Sequence, residues 1–277
     1  MKTGERFERA VEIMRRLRAP GGCPWDREQS YQSITAYTLE EAYEVVEAIE
    51  KQDFGELTGE LGDLLLQVLF YAEMAQEENR FSIDEVLDTL CEKLIRRHPH
   101  VFGEAEAANS EAVLRNWEAI KQQERAARAA VEGTKPPKGL LDSVSTAMPA
   151  LMESNKISKK AAHAGFDWPE IGGLFDKLTE ETEELQAELA QRPAEGEPSD
   201  ELQQRIQAEV GDLLFVAVNL ARHCKVDPEA ALRGTNRKFR RRFSAVEAGL
   251  RERGKSLAES DIEEMEALWQ KAKQQEH

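Results

Sequence analysis

Cysteine is scarce in this chain: Cys23, Cys91 and Cys224 are all there is, an odd number with no CxxC spacing. That excludes a disulfide framework and a cysteine zinc site, and predicts reduced thiols in a cytoplasmic protein. Aromatic residues are also few, 6% of 277 positions. Helices packed through Leu, Ala, Val and Ile suit that shortage better than a β-sandwich does, and an apolar fraction of 40% is enough to build cores. No apolar run approaches the ~18–20 residues of a membrane span. The opening MKTGERFERAVEIMRRL is charged throughout and lacks the apolar stretch of a signal peptide, so no membrane partner is expected. Positive charge is short as well: 37 Lys and Arg face 53 Asp and Glu, a net charge of −16. Nucleic acid needs a basic surface, so it is excluded as a main partner. A phosphorylated small molecule is not excluded, provided that metal cations bridge it to the protein.

What the chain has in abundance is helical periodicity. In ELGDLLLQVLF, which starts at Glu60, and just beyond it, Leu61, Leu64, Leu65, Val68, Leu69 and Ala72 form one continuous stripe. Similar spacing predicts helices near 7–17, 34–49, 83–95, 113–129 and 174–189, with no alternating β-branched run to compete. The strongest breaker is GTKPPKG at 133–139. It divides the chain into 1–132 and 140–277, with 133–139 as a linker. RPAEGEPSD at 192–200 reads as an acidic loop inside the second half.

The halves are a divergent duplication, with five markers in the same order. A Trp-containing loop comes first, CPWD at 23–26 and GFDW at 165–168. LEEAYEV from Leu39 and TEETEEL from Thr179 follow, then ELGDLLLQVLF from Glu60 and EVGDLLFVAVN from Glu209. Lys93 with Arg97 is echoed by Lys238 with Arg242, and Trp117 with Lys121 by Trp269 with Lys273. Chance does not preserve both order and internal spacing through five markers.

The acids carry the chemistry. Glu40, Glu41 and Glu44 lie at i, i+1 and i+4 of one expected helix, and Glu60 and Asp63 share a face of the next. Two antiparallel helices could point all five at one spot, where they cannot all stay ionised without a cation. The second set is Glu180, Glu181, Glu184, Glu209 and Asp212. Hard oxygen ligands select Mg²⁺, or Mn²⁺ in its place, over zinc. EExxE alone is more often a solvated helix face; both motifs, twice and in order, are not. Lys238 with Arg242 can grip phosphate oxygens on the side away from the metal, and Trp269 with Lys273 can flank one ligand.

EExxE with ExxD in tandem, GFDW, GDLLF and KFRRRF at 238–243 together resemble the MazG nucleoside triphosphate pyrophosphohydrolases over essentially the whole chain. The resemblance implies an all-α fold of tandem helical-bundle domains, in which helices pair between the subunits of a homodimer. It also implies Mg²⁺-dependent cleavage of nucleoside triphosphates between the α- and β-phosphates, with broad base specificity. By matching motif, Glu180, Glu181, Glu184, Glu209 and Asp212 become the metal ligands, with Glu181 or Glu184 orienting or deprotonating the attacking water. Lys238, Arg242, Trp269 and Lys273 become nucleotide contacts. Glu40, Glu41, Glu44, Glu60 and Asp63 are a second candidate metal set.

Two differences favour the second half as the working site. Lys177 shares a face with Glu180 where the first half has Tyr37, and Asn219 follows Asp212 by two turns where the first half has Phe70. Both are expected to contact the ligand. Two rivals remain. A di-metal oxidase bundle needs Glu-x-x-His, which no histidine here satisfies. A helical interaction module would use its acids to bind a regulatory metal or a basic partner, and would hydrolyse nothing.

Overall fold

The computed structural model describes residues 1–103, 109, 113, 117, 120, 123–124, 139–193 and 196–275. The helix expected near 113–129, Lys121 and the linker apart from Gly139 fall wholly or mostly outside them. Two compact units divide the chain, Met1–Val131 and Glu132–His277. Among the described residues all regular structure is helical. The expected all-α tandem arrangement is what the chain adopts. No helix of the described residues is long and apolar enough to cross a membrane.

The first unit holds α1 (Thr3–Arg18), α2 (Pro24–Glu28), α3 (Thr35–Lys51), α4 (Phe54–Glu77), α5 (Ile83–Arg97) and α6 (Pro99–Phe102). Only two residues join α3 to α4. Gln52 ends α3 in the left-handed region with φ 58°, and the Asp53 carboxylate accepts hydrogen bonds from the amides of Gly55 and Glu56 to start α4. That tight link makes α3 and α4 antiparallel neighbours, packed along their length. Ser82 and Glu85 close a capping box at the head of α5. The core gathers Met14, Ile34, Leu69, Phe70, Ala72, Met74 and Ile83.

Burial therefore concentrates in the C-terminal half of α4. Leu61, Leu65 and Val68, part of the expected stripe, remain exposed, as does Leu66. The 3.6-residue period marks which side of a helix is apolar; it does not say how much of that side one unit can cover.

The second unit repeats the plan with α7 (Ala150–His163), α8 (Ile171–Leu189), α9 (Asp200–His223), α10 (Pro228–Glu252) and α11 (Ile262–Gln274). Ser199, Asp227 and Asp261 cap α9, α10 and α11 through their side-chain oxygens. Helices α8 and α9 pack as α3 and α4 do, α7 lies against α9 and α10, and α11 lies against α10. Leu174, Leu202, Ile206, Val216 and Val218 are buried around the α8–α9 hairpin. A separate cluster of Val246, Leu250 and Leu268, with Met265 and Trp269, joins α10 to α11.

Candidate functional site

In each unit the helical hairpin brings carboxylates together across its two helices. Glu41 from α3 meets Glu60 and Asp63 from α4, and Glu181 and Glu184 from α8 meet Glu209 from α9. Within each group one oxygen of every residue lies within 4.8 Å of the others. Glu40 and Glu44 are not among the first three, nor Glu180 and Asp212 among the second, though Glu44 shares a side-chain hydrogen bond with Glu60. Nor are the acids generally buried. Glu181 is, at 4% exposure; Glu41, Glu60 and Glu209 are half-buried and the rest exposed. The cause is geometric: adjacent residues of a helix point about 100° apart, so one of the pair 40–41 or 180–181 must turn towards water.

The titration behaviour reflects crowding. Lost hydration first, and then the charges of Asp63, Glu44, Glu60 and Glu40, push the Glu41 carboxyl up. Lost hydration, followed by the charges of Glu44 and Asp63, does the same to Glu60. Glu184 is raised by lost hydration and then by Glu181 and Glu209, with Lys177 pulling the other way. Crowded, oxygen-only donors fit a hard divalent cation. Such an ion holds its oxygens about 2.0–2.1 Å away, which asks each group to close only slightly.

Lys177 is placed among the acids themselves. Its ammonium lies 2.6 Å from Glu181 and 3.0 Å from Glu180, and Glu181 foremost raises its pKa. Tyr37, at the matching position, instead meets Trp25 edge-on with ring centroids 6.0 Å apart. In the second unit the Trp loop reaches the same helix end: a Cβ at Gly173 would come within 3.1 Å of Trp168 Cδ1. Gly173 is one turn before Lys177, so the indole lies at the head of the acid stripe.

Asn219, expected to contact the ligand, is almost wholly buried. It is 1% exposed; its Nδ2 donates to the Phe215 carbonyl at 3.0 Å, and its Oδ1 accepts from Arg222 Nε at 3.2 Å. Arg222 in turn grips Asp167 of the GFDW loop through two hydrogen bonds, one of 2.9 Å, and His223 lies 3.2 Å from the same carboxylate. Arg222 above all holds Asp167 well below the carboxylate range. The first unit performs the same fastening differently. Arg18 lies over the Phe70 ring at 5.3 Å, forms two 2.7 Å bonds with Glu77, and donates to the Asp26 carbonyl in α2, the short helix that CPWD starts where a loop was expected. Phe70 and Asn219 thus both support a guanidinium that ties down the Trp-containing segment. Sequence reasoning missed Asp167, Arg222 and Arg18; the signal was an acid inside GFDW with basic residues in the last turn of α9.

The basic–aromatic markers form pairs of their own. Arg242 lies over Trp269 at 5.8 Å, and Arg97 over Trp117 at 6.0 Å. Arg97 and Arg96 both bind Glu124, whose carboxyl the Arg97 hydrogen bond foremost holds at about 2. Trp269 also packs on Phe239 with centroids 5.0 Å apart, so it is anchored in the α10–α11 cluster. Lys238 and Lys273 are exposed, and among the described residues neither forms an ion pair with the acids.

Comparison with known proteins gives a consistent family. The model of the MazG nucleotide pyrophosphohydrolase domain matches twice, at residues 29–102 and 172–246, so each match covers one hairpin with its acids. The chain is 46% identical over 271 residues to the nucleoside triphosphate pyrophosphohydrolase of Escherichia coli (strain K12), covering 98% of both chains. It is 40% identical over 272 residues to the nucleoside triphosphate pyrophosphohydrolase/pyrophosphatase MazG of Thermotoga maritima, covering 98% of this chain and 97% of the relative. The Mycobacterium tuberculosis nucleoside triphosphate pyrophosphohydrolase is 41% identical over 164 residues, 58% of this chain and 46% of its own.

Proposed function

This chain belongs to the MazG family, and from that premise we propose that its second half hydrolyses nucleoside triphosphates between the α- and β-phosphates, releasing the monophosphate and pyrophosphate. The observation that carries the reading is the group of Glu181, Glu184 and Glu209 on a rigid hairpin with a lysine beside it.

Mg²⁺, or Mn²⁺ in its place, would be held by that group, joined by Glu180 and Asp212, and would supply charge neutralisation for the triphosphate and the developing pyrophosphate. Glu184 is exposed and its carboxyl is raised, which suits it to take a proton from water attacking the α-phosphorus. Glu181, buried and paired to Lys177, suits a ligand role better. Lys177, Lys238, Arg242 and Lys273 would meet phosphate oxygens, and Trp269 would flank the nucleoside. Nothing in that set discriminates one base from another, in keeping with broad base specificity.

The first half has the acids without the lysine, so it is the weaker or structural site. The exposed apolar side of α4 supports a homodimer as the working form, and three free thiols suit the reducing cytoplasm.

Pyrophosphate release, followed with a coupled inorganic pyrophosphatase across a nucleotide panel with and without Mg²⁺, tests the reading. NDP and orthophosphate as first products would overturn the position of cleavage. No phosphate from any nucleotide would leave the non-catalytic metal-binding module.

A further inference from the structure

In the first unit a carboxylate already occupies the basic–aromatic pair. Glu124 lies between two neighbouring guanidiniums: Arg96 Nε donates to its Oε1 at 2.7 Å, and Arg97 Nε reaches both of its oxygens, at 3.2 and 3.1 Å. The Arg97 side chain is 20% exposed and that of Glu124 18%, so the grip is made largely out of water. Arg97 also lies over the Trp117 ring; the His98 ring is 6.2 Å from the same indole, and the His100 ring 5.7 Å from His98. Two guanidiniums therefore meet one carboxylate beside an indole and two imidazoles.

The repeat indicates what that carboxylate displaces. Arg97 and Trp117 match Arg242 and Trp269, the residues assigned above to the nucleotide, and Arg96 matches Arg241. His98 and His100 stand where the second half has Phe243 and Ala245, so the first unit offers additional donors. Glu124 ends a KQQE at 121–124 that recurs at 273–276; its counterpart, Glu276, lies outside the described residues. A guanidinium grips carboxylate and phosphate with the same fork of donors, so the two anions compete for it. Protons do not release Glu124 at ordinary pH, because the Arg97 hydrogen bond foremost holds its carboxyl at about 2. An anion of higher charge does compete, and a phosphate chain is one.

We propose that Glu124 is an internal phosphate mimic, an autoinhibitory contact that holds Arg96 and Arg97 and keeps nucleotide out of the first unit until the carboxylate is displaced. The proposal rests on the reading of Arg242 and Trp269 as nucleotide contacts, carried across the repeat. A binding-competent form populated at about 1–10% lowers apparent affinity ~10–100-fold. The first half is then silenced by more than the missing lysine beside its acids: its grip on phosphate is already taken.

Equilibrium dialysis of the full chain against α,β-methylene ATP with Mg²⁺ tests this, because the methylene bridge resists cleavage between the α- and β-phosphates. The parent should hold one analogue per chain at concentrations that fill the second half. Glu124→Gln should hold two, with first-unit affinity raised ~10–100-fold, and Arg97→Leu added to it should return the count to one. Glu276→Gln removes the same charge from the second half and should leave the count at one. Two analogues on the parent, or on Glu276→Gln, would overturn the proposal. So would a folded Glu124→Gln that still holds one, which would make Glu124 a tie between helices and no more. Glu124→Asp guards against a folding defect by keeping the charge on a shorter arm. It should admit the second analogue more tightly than the parent does, and no gain there would also overturn the mimic. A parent that releases pyrophosphate beside a Glu124→Gln that gains no site would leave the hydrolase reading standing alone. One that cleaves no nucleotide, while Glu124→Gln gains a site that needs Arg97, would keep the mimic and sink the hydrolase.

Discussion

Glu181 is buried at 4% exposure and tolerated there because Lys177 reaches it at 2.6 Å. Removing an acid of this group should cost several kcal/mol of transition-state stabilisation, so Glu209→Ala should lose about 10³-fold or more in turnover. Glu60→Ala should lose far less. Steady-state kinetics of the two variants, with circular dichroism to confirm folding, check the assignment; a dead Glu60→Ala beside a normal Glu209→Ala would place catalysis in the wrong half. The crowded carboxyls also set a pH dependence. Glu41, Glu60 and Glu184 have folded pKa values above the unfolded value of ~4.3, so the stability they contribute is fully present below it and is lost as pH rises through the folded values. Asp167 and Glu124 work in the opposite sense, but Glu124 loses its contribution only as pH falls from ~4.3 towards about 2. In chelator the protein should therefore melt higher at pH 5 than at pH 7, and Mg²⁺ at pH 7 should close that gap. Scanning fluorimetry in the four conditions decides it, and a metal-free midpoint indifferent to pH would exclude crowded acids.

At the scale of the helix, the period of the apolar residues and the repeated carboxylate spacing were enough to predict the hairpins that carry Glu41, Glu60, Glu181 and Glu209. Both signals are local, and each survives whatever the helix packs against. What escaped was settled between elements. Asn219 shares a helix face with Asp212 in sequence, yet its carboxamide is consumed by the Phe215 carbonyl and Arg222, because the last turn of α9 must hold the GFDW loop. Spacing along one helix cannot reveal a partner that arrives from a loop 55 residues away. The same limit hid Arg18, whose partners Asp26 and Glu77 lie on separate elements. Asn219→Leu should cost about 1–3 kcal/mol, because it strips one acceptor from a nearly buried guanidinium. It should also loosen Trp168, which rests against Gly173. Urea unfolding measures the first effect and indole fluorescence the second. Unchanged stability with a raised KM would return Asn219 to the ligand.

Across the whole molecule, the chain exposes more large apolar side chains than its internal packing explains. On the first unit Leu39, Val46 and Ile49 of α3 join Leu61, Leu65, Leu66 and Val68 of α4 and Leu90, Leu94 and Ile95 of α5. Isolated exposed leucines are ordinary on a protein surface; runs of them on neighbouring helices are what an association surface needs. A second copy of the chain is the simplest cover, because a two-fold axis lets one patch bury itself. Each leucine taken from exposure to full burial is worth about 1.5–3 kcal/mol, so a handful offsets the entropy of association. The net charge of −16 opposes association at long range and is screened by salt, so the dimer should tighten as ionic strength rises. Light scattering at micromolar concentration should give about twice the 31.3 kDa of one chain, and Leu61→Glu with Leu65→Glu should return it to a single chain without loss of helix. A strict monomer in the parent protein at every salt concentration would leave that face without a role in assembly.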